Sequence, residues 1–458
     1  MTSHKKLVVL GLDGVPDTLL EEAFAVDKLP NLRRLSEGGT LVPMRSVIPT
    51  ISSVAWTGFM TGQNPGKHGI FGFVDRDAGL ERFIPTSHDV RTLTLWERLN
   101  GMGARTIAMN VPLTYPPKSV NGVLIGGFLG FNVDTIAHPA SISSLLRDKG
   151  YVIDPDPRLA TNDRAAFMEA IFQAFDARTD VARHLLEHEP WDFFMCHVME
   201  TDRLHHFFWP SKDDRTDPYH CDFWTLYERI DAFVGELVAG LPDETEVVLL
   251  SDHGFCGIRA EPDINAYLGQ LGLTKFSPDA KDLSDLDSDS LAYSLPPGRI
   301  YLNLQDREPR GRVTPAEAER IKDDLTSALH ELTDPETGDP VIQRVYRREE
   351  LYDGPLAHRA ADLIAHPHRG YDLKASIRPA DVFTCGVRNG MHTYRDAFLL
   401  IRDHTIAPST DPSIVDVAPT ALALMGAPIP NDMDGQSVLE SSPVQQAAVA
   451  KAEEGGLS

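Results

Sequence analysis

Hydrophobic and polar positions along the chain alternate between two patterns. Short continuous apolar runs, the mark of strands buried on both faces, fall at Leu7–Leu12, Thr106–Asn110, Gly122–Ile125, Phe193–Val198, Glu246–Leu250 and Ala397–Ile401. A further strand is expected over Leu41–Ile48. Helical periodicity marks Leu93–Asn100, Arg164–His188, Phe223–Ala239, Pro315–Leu332 and Asp416–Met425, with a shorter helix near Ser53–Met60. Strands alternating with helices predict an α/β fold, a central and mostly parallel sheet sandwiched by helices.

Residues 256–390 break this rhythm. They hold a strand over Arg299–Leu304, a helix, and the acidic, serine-rich run DAKDLSDLDSDS (Asp279–Ser290), which reads as a mobile loop. The expected organisation is a core of residues 1–255 and 391–440, an inserted α+β cap of residues 256–390 covering the site, and a disordered tail of residues 441–458.

Charge narrows the function. With 43 basic and 67 acidic residues, the formal net charge is −24. Such a chain repels nucleic-acid polymers and anionic membranes unless a cation intervenes. No apolar run reaches the roughly 18 residues of a membrane span. The LVVLGL run is too short for a signal-peptide core and is interrupted by Asp13. Cys196, Cys221, Cys256 and Cys385 are scattered with no CxxC, which argues against a thiolate zinc site or a disulfide framework and for a reduced, cytoplasmic protein.

The polar residues that end the strands carry the chemistry. EVVLLSDHGF places Asp252 and His253 at the carboxyl end of a buried strand, where open α/β sheets bind ligands. LGLDG places Asp13 the same way. In VMETDRLHHFFWP, Asp202 and His206 are spaced i, i+4 and share one face of a helical turn, while His205 lies off that face and reads as supporting or structural. His392 sits in a glycine-containing loop, NGMHTYRD, before the last strand. Together these are three carboxylates and three imidazoles, enough for two divalent ions of the kind zinc or manganese sites hold. Two such ions about 3.5–4 Å apart stabilise the attacking and leaving oxygens of a phosphoryl displacement. Thr50, Ser52 and Ser53 are candidate nucleophiles at a helix N-terminus, where free N–H groups favour an alkoxide and phosphate oxygens. The run GQNPGKH (Gly62–His68) is not a P-loop, because its spacing is GxxxGK and His68 replaces the magnesium-binding Ser/Thr.

In this order, LDG, PTISSVAWTGFMTGQNPGKHGI, TDRLHH, SDHGF, NGMH, DVAPTALALMG and DMDG resemble the alkaline phosphatase superfamily, and most nearly its type I phosphodiesterase/nucleotide pyrophosphatase branch and related phosphohydrolases and phosphomutases. The resemblance implies a two-metal phosphohydrolase acting through a phosphoseryl intermediate, foremost a phosphodiesterase or nucleotide pyrophosphatase. The alternative is a phosphomutase or phosphomonoesterase acting on a small phosphorylated metabolite. It implies one ion held by Asp202, His206 and His392, and another by Asp13, Asp252, His253 and the nucleophile oxygen. Zn²⁺ is the first expectation and Mn²⁺ the second. Aligned on Thr61-Gly62 and His68-Gly69, the nucleophile falls on Ser52, with Thr50 and Ser53 as fallbacks. Two positions depart from that branch: Phe73 stands where an Asn binds a phosphoryl oxygen, and Trp56 where the nucleophile helix carries a His. The substrate-binding residues are not assigned by these motifs; Arg45, Lys67, Arg388 and Arg395 are the nearby cations.

Overall fold

The computed structural model describes residues 5–128, 130, 132–407 and 410–440. The tail expected to be disordered, 441–458, lies outside the described residues. Eight strands form the central sheet, in the spatial order Gly39–Met44, Ala397–Arg402, Glu246–Leu250, Leu7–Leu12, Phe193–Val198, Thr106–Met109, Gly122–Ile125, Ala137–His138. The five strands from Glu246–Leu250 to Gly122–Ile125 are parallel, and antiparallel strands flank them on both sides.

Alternation along the central strand explains the layering. Val8, Leu10 and Leu12 join one buried cluster with the helices Arg164–His188 and His220–Gly240, while Leu7 and Val9 join the cluster on the opposite face with the helices Ser52–Thr61 and Val417–Leu424. Both faces are therefore closed to water, and polar residues escape only at strand ends. The parallel register sets Leu10 beside Leu249 and Gly11 beside both Leu250 and His197, so Asp13 and Asp252 emerge from neighbouring strands at the same edge.

Three expectations are corrected. The strand placed at Leu41–Ile48 is Gly39–Met44. It lies at the sheet edge, where Pro43 is tolerated, and after Met44 the chain leaves to hydrogen-bond Pro412 and Ile414 through Arg45. The stretch Asp279–Ser290, expected as a mobile loop, is folded. A 3₁₀ turn at Leu283–Asp285 buries Leu283 and Leu286 in a cluster with Tyr293 and Tyr301, and its aspartates bond local backbone N–H groups.

Between the last two core strands the chain builds a four-stranded antiparallel sheet of Ala292–Leu295, Arg299–Leu302, Leu363–Pro367 and Ile342–Arg347, packed on the helix Pro315–Glu331. Its entry and exit are joined: Gly254–Gly257 pairs antiparallel with Gly390–Thr393, so His392, expected in a loop, lies in a strand opposite Phe255 because the segment's backbone pairs across the cap's entry.

Candidate metal centre and active site

The carboxyl edge of the parallel strands gathers all six candidate ligands. Asp13, Asp202, His206, Asp252 and His253 are buried and His392 nearly so. In the first cluster His206 Nε2 is 3.2 Å from Asp202 Oδ1. His392 Nε2 is 3.2 Å from the same oxygen and 3.1 Å from His206 Nε2. In the second, His253 Nε2 lies 3.3 Å from Asp252 Oδ2, 3.5 Å from Asp13 Oδ1 and 3.1 Å from Ser52 Oγ. Ser52 Oγ also donates to Asp13 Oδ1 at 3.3 Å. Asp202 falls within 4.8 Å of Asp13 and His253 as well, so the clusters are contiguous, and the His253 and His392 rings stack at 3.7 Å.

These residues fit divalent cations on three counts. Ligands about 2.0–2.1 Å from a tetrahedral zinc lie about 3.3 Å from one another, the spacing found in both clusters. Each imidazole donates Nδ1–H to a backbone carbonyl: His206 to Gly390 at 2.9 Å, His253 to Gly254 at 3.0 Å, His392 to Thr50 at 3.3 Å. All three Nε2 lone pairs are thereby turned into the site. Finally, Asp252 Oδ2 is buried with no hydrogen-bond partner, a costly arrangement that a cation would relieve.

The electrostatics agree. Burial opposes charge on Asp13 and Asp202, yet the His197 hydrogen bond holds Asp13 below the usual carboxylate range, and His206 holds Asp202 well below it. Burial and the neighbouring Asp13 push Asp252 well above that range. Three carboxylates cannot share this volume as anions without positive charge between them, and a bound cation reverses the proton preference of Asp252. Burial pushes His253 down to about 4, with His392 adding to the effect.

Local sequence explains how these groups are held. Thr201 Oγ1 donates to the Asp13 carbonyl at 2.6 Å, and Gly14 N–H to Asp252 Oδ1 at 3.1 Å. Gly390 approaches so closely that a Cβ there would stand 2.3 Å from the His205 carbonyl. Asn389 donates to the Phe207 carbonyl and accepts from the Trp209 N–H, pinning the start of the His392 strand to the end of the Asp202/His206 helix. His205 donates to the Gly14 carbonyl at 2.9 Å and faces the Tyr227 hydroxyl at 2.8 Å, so it braces the Asp13 turn.

Of the three candidate hydroxyls, only Ser52 contacts this cluster. It is the first residue of the helix Ser52–Thr61. Thr50 Oγ1 instead donates to the Val47 carbonyl, and Ser53 Oγ is buried without a partner.

Sequence reasoning missed three contributors. His197, inside the apolar run FFMCHV, contacts Asp13 Oδ2 at 2.8 Å and Asn110 O at 2.9 Å. Trp56, noted only as a departure, donates to the same Asp13 oxygen at 2.9 Å. Arg203 donates to Asp202 Oδ2 at 2.8 Å and clamps Asp154 through two 2.9 Å bonds. A polar residue in a fully apolar strand was the available signal for His197; nothing local marks the Arg203–Asp154 pair.

Ser52, Asp202, His206 and His392 line a cavity of about 1060 Å³ that is also lined by residues after 256, including Tyr346, His366, His368, Arg388 and Arg395. Phe73 and Phe128, stacked at 5.2 Å, line it as well. Of the four nearby cations, Arg388 and Arg395 line this cavity, whereas Arg45 pairs with Asp411 and Lys67 with Asp434.

A mostly parallel α/β sheet carrying contiguous Asp/His clusters at its strand ends is the framework of the alkaline phosphatase superfamily. Within it, the chain belongs to the type I phosphodiesterase/nucleotide pyrophosphatase family, whose model matches residues 7–395. It is thus a member of a metal-dependent phosphodiesterase family. No curated protein sequence matches the chain. Among solved structures, the fold is similar to phosphonoacetate hydrolase from Sinorhizobium meliloti 1021 in complex with phosphonoformate, at 16% identity and TM-score 0.61 over 92% of this chain and 95% of that one. It is also similar to murine ectonucleotide pyrophosphatase/phosphodiesterase 5, whose inactive form in complex with AMP matches at 15% identity and TM-score 0.57 over 95% of this chain and 100% of that one. Among the described residues, no helix is long and apolar enough to cross a membrane.

Proposed function

We propose that the protein is a two-metal phosphohydrolase of phosphodiesterase or nucleotide pyrophosphatase type, acting on a small phosphorylated substrate through a phosphoseryl intermediate. The observation that carries this reading is the position of Ser52 Oγ, 3.3 Å from Asp13 Oδ1 and 3.1 Å from His253 Nε2, at the start of a helix. Asp202, His206 and His392 would hold one ion and Asp13, Asp252 and His253 the other, with Zn²⁺ first and Mn²⁺ second by donor type. Bound cations would supply Lewis-acid stabilisation of phosphoryl charge and a lowered pKa for oxygens in contact with them.

The chain's own groups define the rest. Ser52 Oγ attacks phosphorus, its proton passing to solvent or a neighbouring base. First-turn N–H groups of the Ser52–Thr61 helix face the developing negative charge. The leaving alcohol or phosphate departs opposite Ser52, and water then cleaves the phosphoseryl bond. Residues 256–390 act as a cap that walls the cavity. The phosphorylated and phosphonylated ligands of the similar structures support a compact anionic substrate. Four unpaired cysteines support a reducing, cytoplasmic location.

The test is hydrolysis of a p-nitrophenyl phosphate monoester and a nucleotide-like diester by protein stripped with chelator and refilled with Zn²⁺ or Mn²⁺, beside Ser52→Ala. Metal-dependent turnover that disappears in Ser52→Ala is expected, with the diester preferred. Full activity in Ser52→Ala would remove Ser52 as nucleophile. No turnover of either ester by metal-loaded protein would overturn the hydrolase reading.

A further inference from the structure

Beyond the metal clusters, the cavity carries a charge pattern that phosphoryl transfer does not use. Its acids away from the metal edge already have partners. Asp396 pairs with Arg369 at 2.9 Å, Glu261 with Lys374 at 3.1 Å, and Asp372 with the same Lys374. Arg344 is paired with Glu350 at 2.7 Å. Arg388 and Arg395 line the cavity and make no ion pair among the described residues. His366 and His368 line the same wall, and neither ring has a hydrogen-bond partner among the described residues.

His366 and Arg395 meet at Tyr394, whose ring the Arg395 guanidinium approaches to 5.7 Å. The His366 ring packs edge-on against Tyr394 at 5.7 Å and against Tyr346 at 6.4 Å. Burial lowers His366 to about 4, with Arg395 adding to the effect, so near neutral pH its ring is uncharged and offers an anion one N–H donor rather than a charge. Tyr394 lies two residues past His392, so this wall is joined by a few bonds to the metal edge. In a chain of net charge −24, Arg388 and Arg395 bring two cations to the cavity that have no ion-pair partner among the described residues, and such charge attracts anions.

We propose that this wall is a second anion-binding subsite, in which Arg395, His366 and His368 hold a carboxylate or phosphate on the substrate at a distance from the reacting phosphoryl group. The inference rests on the phosphohydrolase reading and deepens it: the natural substrate carries two anionic groups separated by a short spacer. Arg395 supplies a planar fork suited to either anion, and Tyr346 and Tyr394 offer hydroxyl donors beside it.

The test is calorimetric binding to the Zn²⁺-loaded protein of n-alkylphosphonates of graded length, each compared with its ω-carboxylated and ω-phosphonylated counterpart. At one chain length a second anion should tighten binding about 10-fold or more over the plain ligand. Whichever tail gains more identifies the second group as carboxylate or phosphate. Arg395→Gln should bring that ratio towards one, and Arg395→Lys should retain part of it. Plain and doubly charged ligands binding equally at every length would overturn the subsite while leaving the hydrolase standing. So would a ratio undiminished in Arg395→Gln combined with His366→Gln. No phosphonate binding, together with no ester hydrolysis, would overturn the hydrolase reading and the subsite with it.

Discussion

Trp56 Nε1 donates a 2.9 Å hydrogen bond to Asp13 Oδ2, the oxygen turned away from Ser52. With His197 on the same oxygen, it fixes the carboxylate so that Oδ1 alone faces Ser52 and His253. Gly11 makes room for this: a Cβ there would stand 2.3 Å from the Trp56 ring.

Trp56→Phe removes the donor and also the outer part of a fully buried indole, so its Tm loss includes a cavity and Zn²⁺ affinity is the readout specific to the hydrogen bond. A hydrogen bond to a charged acceptor is worth about 1.5–3 kcal/mol. Loss of such a supporting partner typically weakens metal binding roughly 10–100-fold. The expected result is a lower Tm and a weaker Zn²⁺ affinity in competition with a chromophoric chelator. An unchanged affinity would show that His197 alone orients Asp13.

Asp252→Asn tests whether the buried carboxylate exists for a cation. With Oδ2 buried and unpartnered, the metal-free protein carries a strained acid 3.3 Å from His253 Nε2. Asparagine keeps the shape and can donate to that nitrogen. The metal-free variant should be at least as stable as metal-free wild type, while Zn²⁺ should raise its Tm less. Saturation at 1,000 times Kd is worth about 4.1 kcal/mol per site, so losing one site is readily seen by calorimetry. An equal Zn²⁺-induced rise in both proteins would remove Asp252 from the ligand set.

Much of this was legible in the sequence, and the reason is local. Glu246–Leu250 and Leu7–Leu12 read as buried strands, and any polar residue directly beyond them must emerge at a sheet edge. Asp202 and His206 needed only helical spacing to share a face. Non-local register hid the rest. His197 looks like one more core residue until parallel pairing sets it beside Gly11 and under Trp56. Arg203 finds Asp154 across 49 positions. The run Asp279–Ser290 misled by composition, since Leu283 and Leu286 bury against tyrosines contributed by later strands.

Asp17 gives the stability a pH signature independent of the ligands. Burial, with Asp396 and Glu21 nearby, raises its pKa from the usual 3.8 to about 6. A carboxyl whose folded pKa exceeds its unfolded value binds its proton more tightly when folded, so it favours the fold at low pH. That contribution declines as pH rises from about 4 to 6 and is gone above. Asp17→Asn should therefore gain Tm relative to wild type as pH is raised from 4 to 8, by a modest amount because solvent screens this half-buried group. A Tm difference constant across this range would refute the raised pKa.

Gly390→Ala probes how the strand Gly390–Thr393 presents the candidate ligand His392. Its new Cβ would meet the His205 carbonyl at 2.3 Å and Phe255 at 2.7 Å. A backbone carbonyl cannot rotate away as a side chain can, so the strand itself must shift. Overpacking of this kind costs about 1–3 kcal/mol. The Gly390 carbonyl is also the acceptor that holds His206 Nδ1, 2.9 Å away, and the same strand carries His392 two residues on. The variant should therefore lose Tm and, on the proposed ligand sets, lose Zn²⁺ binding at Asp202, His206 and His392 while keeping it at Asp13, Asp252 and His253. Competition titration should report one tight ion instead of two. A lowered Tm with both ions bound at full affinity would mean that the close contact serves packing alone.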